Sequence, residues 1–467
     1  MLGARHDGPR ALSFRPAPHA RARRADEPYT GSDAYLHYDL KDLEQHSPDI
    51  PWAAYFAHIR EGCDAEEVGC LAGLDGGRSK VVMDAPYFYS KLSEAFKNRS
   101  AEYWAPYLRA HVIYNLSPLL SAPFLNATFR IDSELEGIEE SPPRWKKCVS
   151  AVKHALPGVV DRLYVSAVFP AQAKQDAKVM LEQLRDAFVQ NLKTVDWMDA
   201  KTRAQAVRKA RAIQFNIGSP SKFPELLDGY HVSSRSYFEN SMQAYHRKVL
   251  FMLSKLARPV DRHEWTMKAS TVNAYYDNGV TGLFVPAAML QPPFFSADYP
   301  PERNFGGIGT VMGHEFTHGF DDTGRKYDAK SRLREWWAKP AVKLFQKNSQ
   351  CLASLYGGFS EGGESLDGNN TLGENIADEG GVKIALRAFE NLHRLEHHGH
   401  DATDGDRRVF FTSFAQNWYP SRHTSTPPPL WRPDPRERWA RGVRDGRAGP
   451  VSHDPLFLRS LRLSPCL

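Results

Sequence analysis

Residues 311–320 read Val311-Met312-Gly313-His314-Glu315-Phe316-Thr317-His318-Gly319-Phe320, and the spacing of the two histidines governs how the rest of the chain is read. Ile308, Val311, Met312 and Phe316 recur at helical intervals, which predicts a short apolar helix ending at Gly319. Side chains four apart on a helix share a face, so His314 and His318 present two imidazoles side by side. Two neutral imidazoles so placed suit a tetrahedral zinc, with Zn–N distances of about 2.0–2.1 Å. Glu315 follows the first histidine directly, close enough to act on a water at the metal without being a ligand. The pattern His-Glu-x-x-His thus predicts zinc with a general base, the core chemistry of a metallopeptidase. Chance alone gives the spacing in roughly one or two chains per hundred of this length, so it needs company.

A catalytic zinc takes a third protein ligand and keeps a fourth position open. Residues 371–378, Thr371-Leu372-Gly373-Glu374-Asn375-Ile376-Ala377-Asp378, supply a candidate. Glu374 and Asp378 stand four apart at the start of a helix that Ile384, Ala388, Leu392 and Leu395 continue. On one reading Glu374 completes the zinc shell, and Asp378 accepts the second N–H of a ligating histidine. On the other, Thr371 and Glu374 form a capping box, and Glu374 returns to the start of its own helix. Spacing leaves both open. Asp321 and Asp322 follow the histidine pair; either one of them orients His318 or both are solvated. Gly306, Gly307 and Gly309 read as close backbone packing, since no Lys-Ser/Thr follows to make a phosphate loop.

Four blocks carry a resemblance. Val272-Asn-Ala-Tyr-Tyr276, Leu290-Gln-Pro-Pro-Phe-Phe295, His314-Glu-Phe-Thr-His-Gly-Phe-Asp-Asp322 and Gly373-Glu-Asn-Ile-Ala-Asp378 resemble, in order, the signature blocks of the neprilysin family. These are zinc endopeptidases that include endothelin-converting enzyme, and the likeness runs from about Ile50 to Tyr419. The resemblance implies a mainly α (α+β) fold of two lobes, gluzincin in type. Its catalytic lobe is thermolysin-like, with a small β-sheet edge beside the zinc. It implies one zinc per chain held by His314, His318 and Glu374, with Glu315 as base. Asp378 then becomes the partner of a ligating histidine, sometimes assigned as proton donor. The implied substrates are short peptides, cut in a cavity between the lobes and held by Asn273 and Ala274. An S1′ pocket for large apolar side chains is implied near Phe294, Val311 and Trp418. Thr271 to Tyr276 and Gly282 to Pro286 read as strands. An edge strand beside the metal hydrogen-bonds an extended peptide, which gives Asn273-Ala274 a physical role. The alternative is a hairpin in which Asn273 is structural.

The 60 basic and 55 acidic side chains give a net charge of +5, which argues for neither nucleic acid nor a membrane surface as partner. No apolar run approaches the ~18 residues of a membrane span, and the N-terminus lacks the apolar stretch of a secretory signal. Taken literally this is a cytosolic chain. The resemblance points instead to an extracellular one, secreted or the ectodomain of a type II plasma-membrane protein, whose anchor and much of the N-terminal lobe this sequence lacks. Sequons at Asn98, Asn115, Asn126 and Asn369 lean the same way. Of the five cysteines, Cys63 and Cys70 are close enough to close a local loop. By resemblance Cys148 and Cys351 are half-cystines, the second with Cys466 as its candidate mate.

Four segments are expected. Residues 1–49, with six arginines in the first 24, form a disordered leader. Residues 50–215 form part of a helical N-terminal lobe. Within them Met180, Leu184, Phe188 and Leu192 make one core stripe, and Asp199 caps a second helix through Ala212. Residues 216–269 connect to the catalytic domain, 270–467. Its stretch 420–449 is atypical, with seven arginines, six prolines and no lysine. That shift reads as an out-of-frame or decayed segment, or as an insertion. Arg436 there occupies the place of the histidine that stabilises the oxyanion in the family, and losing such a donor costs about 10²–10³ in turnover. The alternative function is accordingly a catalytically impaired relative that binds zinc and peptides.

Overall fold

Helical periodicity dominates the chain, and strands appear only where β-branched and aromatic runs are fenced by turn residues. The computed structural model describes residues 36–61, 80–83, 85–136, 140–223, 230–255, 259–361 and 364–417. Trp418, the 420–449 stretch, Cys63, Cys70 and Cys466 lie outside the described residues, and Cys148 is exposed and free.

Two units emerge from the contacts. The first comprises Met1–Pro157 and Pro224–Val260. In it β1 (Leu36–Tyr38) pairs antiparallel with β2 (Val81–Met83), beside α1 (Leu40–His46) and α2 (Trp52–Glu61). Leu43, Phe56 and Met83 form their small core. Helices α3 (Pro86–Lys97), α4 (Ala101–Leu116), α5 (Ala122–Glu136) and α6 (Arg144–Ala155) follow. The stretch 1–49 expected as a leader thus takes in β1 and α1, while its first 35 residues lie outside the described residues. Asp39 and Asp42 make a capping box that starts α1, and Leu43 anchors it at 1% exposure.

The second unit comprises Gly158–Phe223 and Asp261–Leu467. Its elements begin with α7 (Pro157–Val168), α8 (Ala171–Thr194), α9 (Ala200–Ala212) and β3 (Gln214–Gly218). The chain returns to the first unit for α10 (Tyr237–Ser254), then continues with β4 (Tyr275–Asp277) and β5 (Gly282–Pro286). Next come α11 (Pro301–Asn304), α12 (Thr310–His318), α13 (Lys339–Gly357) and a short hairpin of β6 (Ser360–Glu361) and β7 (Glu364–Ser365). Helices α14 (Leu372–Glu396) and α15 (Asp404–Asn417) close the described part. No helix among the described residues is long and apolar enough to cross a membrane.

This division departs from the boundary read at residue 215. The stripe Met180, Leu184, Phe188 and Leu192 is buried as expected, but it packs on the metal-motif helix. The Phe188 ring lies 5.0 Å from Phe316 and 4.6 Å from Phe320, and Arg387 of α14 reaches Asn191 at 3.2 Å. Helices α8 and α9 thus belong with α12 and α14. The expected connector 216–269 carries α10 of the other unit.

Asp199 caps α9 by accepting from the Lys201 and Thr202 N–H groups. The central sheet has the order β3-β5-β4, with β3 parallel and β4 antiparallel to β5, so β4 is an edge strand. Every residue of β5 is buried, as a middle strand covered on both faces should be.

Candidate metal centre

The helix bearing the two histidines is longer than its apolar run. Asn304, Phe305, Gly309 and Thr310 all keep helical backbone angles, so α11 runs through a π-helical turn, Phe305–Gly309, into α12. The wider turn frees the Ile308 N–H to bond the Phe294 carbonyl at 2.9 Å. It is also packed tight. A Cβ on Gly306 would stand 2.1 Å from the Phe410 carbonyl oxygen, and one on Gly307 2.4 Å from that of Phe294. The glycines serve close backbone approach.

The same device brings the ligands together. A Cβ on Gly313 would meet the Gly381 carbonyl oxygen at 2.7 Å, and one on Gly381 would meet the His314 backbone nitrogen at 2.6 Å. Helices α12 and α14 therefore touch backbone to backbone, closer than ordinary side chains permit. The crossing sets the first turns of α14 over the histidine pair.

Glu374 Oε2 lies 3.3 Å from His314 Nε2 and 3.7 Å from His318 Nε2, and the two Nε2 atoms are 2.9 Å apart. Each ring is held from behind: His314 Nδ1 on Asp378 Oδ1 at 2.7 Å, and His318 Nδ1 on Asp321 Oδ2 at 2.8 Å. Thr371 makes no side-chain cap, so the capping-box alternative for Glu374 does not hold. Asp321 is fixed in turn by the Thr323 and Gly324 N–H groups, which donate to its Oδ1 at 2.8 and 2.6 Å.

This donor set fits zinc. Donors about 2.0–2.1 Å from one tetrahedral ion stand roughly 3.3–3.4 Å from each other, close to the mean of the observed triangle. Two imidazole nitrogens and a carboxylate oxygen are the ligand types zinc takes, and Glu374 stays 51% exposed on the open side. Charge argues likewise. Burial and His318 pull the His314 pKa down, but Asp378 and Glu374 more than reverse them and bring it to about 10. Burial acts to raise Glu374, yet the imidazoles of His318 and His314 hold it well below the usual carboxylate range. Burial, reinforced by Asp321, pushes Asp322 up to about 6. The pocket is rich in carboxylates.

Glu315, 7% exposed, has its pKa raised by burial, with His314 and His318 opposing. The Tyr276 backbone hydrogen-bonds its carboxylate, which puts edge strand β4 beside the base. Asn273 and Ala274 precede β4, contrary to the strand expected over Thr271 to Tyr276. The Asn273 Oδ1 accepts from the Ala274 N–H at 2.9 Å, and this local bond draws the backbone out of the ladder. Asp161, buried on α7, accepts from the Ala269 N–H at 2.8 Å and the Ser270 hydroxyl at 3.0 Å, anchoring the start of that segment. Val311 is buried one turn before Glu315, and Phe294 is partly buried and tied to Ile308 through its carbonyl. Two features gave no sequence signal: the Gly313–Gly381 crossing and Lys209, a fully buried lysine behind Asp321.

Fold and site together define a class: mainly helical proteins that hold a divalent ion between a His-Glu-x-x-His helix and a carboxylate from a second helix. Within it, the chain belongs to peptidase family M13, whose sequence models match residues 18–220 and 273–431. It is 33% identical over 400 residues to the endothelin-converting enzyme homolog of Locusta migratoria, covering 82% of this chain and 54% of that one. Human neprilysin is 36% identical over 353 residues, 72% of this chain and 47% of its own. The chain thus spans about half the length of the curated relatives it matches. Among solved structures, the zinc metalloprotease Zmp1 of Mycobacterium tuberculosis, in complex with inhibitor, superposes with a TM-score of 0.76 at 27% identity, over 91% of this chain and 66% of that one.

Proposed function

We propose that this chain is a zinc-dependent metalloendopeptidase that hydrolyses short peptides and prefers large apolar residues at P1′. The observation that carries the reading is the triangle of His314, His318 and Glu374, whose three ligand atoms lie within 4.8 Å of one another. One zinc is assigned to it. When bound, zinc supplies Lewis-acid polarisation of the scissile carbonyl and makes water a nucleophile near neutral pH.

The protein's own groups do the rest. Asp378 and Asp321 accept the Nδ1 protons of His314 and His318, which fixes the tautomer that turns both Nε2 lone pairs inward. Glu315 takes a proton from the attacking water at its carboxylate and hands it to the departing amine nitrogen. Its burial suits the task, since a raised pKa brings it nearer neutrality. Asn273 and Ala274, at the head of the edge strand, hold the peptide backbone. Val311 and Phe294 line the apolar pocket for the P1′ side chain; Trp418, expected with them, lies outside the described residues.

Replacing Glu315 with Gln is expected to leave zinc content at one per chain and to abolish cleavage of a quenched fluorogenic peptide. Chelation of the wild type with 1,10-phenanthroline should have the same effect on cleavage and be reversed by added zinc. Turnover by Glu315→Gln, or chelator-resistant turnover by the wild type, would refute the mechanism.

A further inference from the structure

Lys209 lies on α9, a helix rich in lysine and arginine, yet its side chain is fully buried. Its ammonium donates to three backbone carbonyls: Gly319 at 2.6 Å, Gly324 at 2.7 Å and Tyr327 at 2.7 Å. An ammonium has three donors, so its capacity is filled. All three acceptors belong to the turn that leaves the metal helix. The same turn contains Asp321, whose Oδ1 is pinned by the Thr323 and Gly324 N–H groups and whose Oδ2 holds His318 Nδ1. The Phe320 ring packs 5.3 Å from Nζ; burial pulls the lysine's pKa down to about 7, against the charges of Asp321 and Asp328, while the three carbonyls match the three donors of its charged form.

We infer that Lys209 is a positioning residue for the metal centre: it folds the Gly319–Tyr327 turn around its ammonium and so aims Asp321 at His318. The inference rests on the zinc reading above. Lys209 touches neither metal nor substrate; its effect runs through Asp321. An apolar side chain would take the ammonium's hydrogen bond from all three carbonyls and leave that of Gly324 with only the Tyr327 N–H at 3.0 Å, so the turn would open to find water. Asp321 would move with it, because its Oδ1 accepts from the amides at 323 and 324. His318 would keep its place on α12 but lose the hydrogen bond that fixes its ring.

The test is a zinc dissociation constant, measured by competition with a chromophoric chelator well below the melting temperature. Partners that orient a ligand are worth 10–100-fold in metal affinity, so Lys209→Met should weaken zinc by about that factor. Combined with Asp321→Asn, Lys209→Met should cost less than a further twofold, since both changes cut the same chain of contacts. Leu352→Ala, a truncation in the core of α13, should leave the constant unchanged. If Lys209→Met does not fold, Lys209→Gln, with a shorter stem and no charge, decides the question with the same thresholds. Three results overturn the inference alone: affinity within twofold of wild type in the folded variant, losses that multiply with Asp321→Asn, or an equal loss in Leu352→Ala. Should wild type and His318→Ala bind zinc equally weakly, the zinc reading falls, and this inference with it.

Discussion

Asp328 is 4% exposed and carries five polar contacts. Its Oδ1 accepts from the Lys330 and Arg332 N–H groups, and its Oδ2 from Arg332 Nε at 2.9 Å and Arg334 Nε at 2.6 Å. Burial acts to raise its pKa, but the two guanidiniums and the backbone donors hold it far below the usual carboxylate range. The sign follows from linkage: in the window between the folded and unfolded pKa values, the unfolded state binds more protons, so stability rises with pH. The contribution is therefore complete above about pH 4 and is lost as pH falls toward the folded pKa. Asp328→Asn should cost about 1–3 kcal/mol at pH 7, with the gap to wild type closing in urea melts taken below pH 4. A gap that stays constant with pH would show that the carboxylate charge is not what matters there. The arginines are 61% and 44% exposed, which keeps the expected cost at the modest end. At this scale the sequence was legible where placement follows spacing, as with the side-by-side imidazoles of His314 and His318. It was ambiguous for Glu374, because a cap and a ligand look alike until the facing helix is known. Lys209 was illegible, since nothing local distinguishes a lysine that ends among carbonyls from one that ends in water.

Elements were read unevenly for a physical reason. Helices α8, α9, α12 and α14 bury a face with a 3.6-residue period, and that period is written in the chain. Strand β3 is not written so. Gln214–Gly218 mixes polar and apolar residues, and its order comes from parallel pairing with Gly282–Pro286, more than sixty residues on. The α12–α14 crossing was equally hidden, because a glycine chosen for backbone contact looks like any other. Gly381→Ala tests it. Alanine gains about 1 kcal/mol of intrinsic helix propensity over glycine. Against this, the new Cβ would lie 2.6 Å from the His314 backbone nitrogen and 2.9 Å from its Cα, atoms that no rotamer change can move. Overpacking of this kind costs about 1–3 kcal/mol, and a backbone clash belongs at the upper end. The expected result is a net loss of about 1–2 kcal/mol in a urea melt, together with weaker zinc binding, because His314 and His318 shift as a pair relative to Glu374. A variant of equal or greater stability with unchanged zinc affinity would mean the helices have room to spare.

For the whole molecule, the ligands and their supports come from α9, α12, the turn after it and α14, all within the unit formed by Gly158–Phe223 and Asp261–Leu467. Without a cation this unit gathers Glu315, Asp321, Asp322, Glu374 and Asp378 around two imidazoles, and the raised pKa values of Glu315 and Asp322 register the strain on their charged forms. Zinc held by His314, His318 and Glu374 would neutralise that cluster and cross-link helices distant in sequence. A ligand at 100 times its dissociation constant stabilises the state that binds it by about 2.7 kcal/mol. Zinc addition should therefore raise the unfolding free energy of this unit by about that amount, and chelator should take it away. Amide hydrogen exchange resolves where the gain falls. Protection is expected to rise in α12, α14 and the stretch of α8 packed on them, while the α1–α6 amides of the other unit exchange at the same rate with and without metal. Uniform slowing across both units would mean that metal binding is coupled through the entire chain. No change in α12 or α14 would mean that the ion is bound somewhere other than the helix crossing.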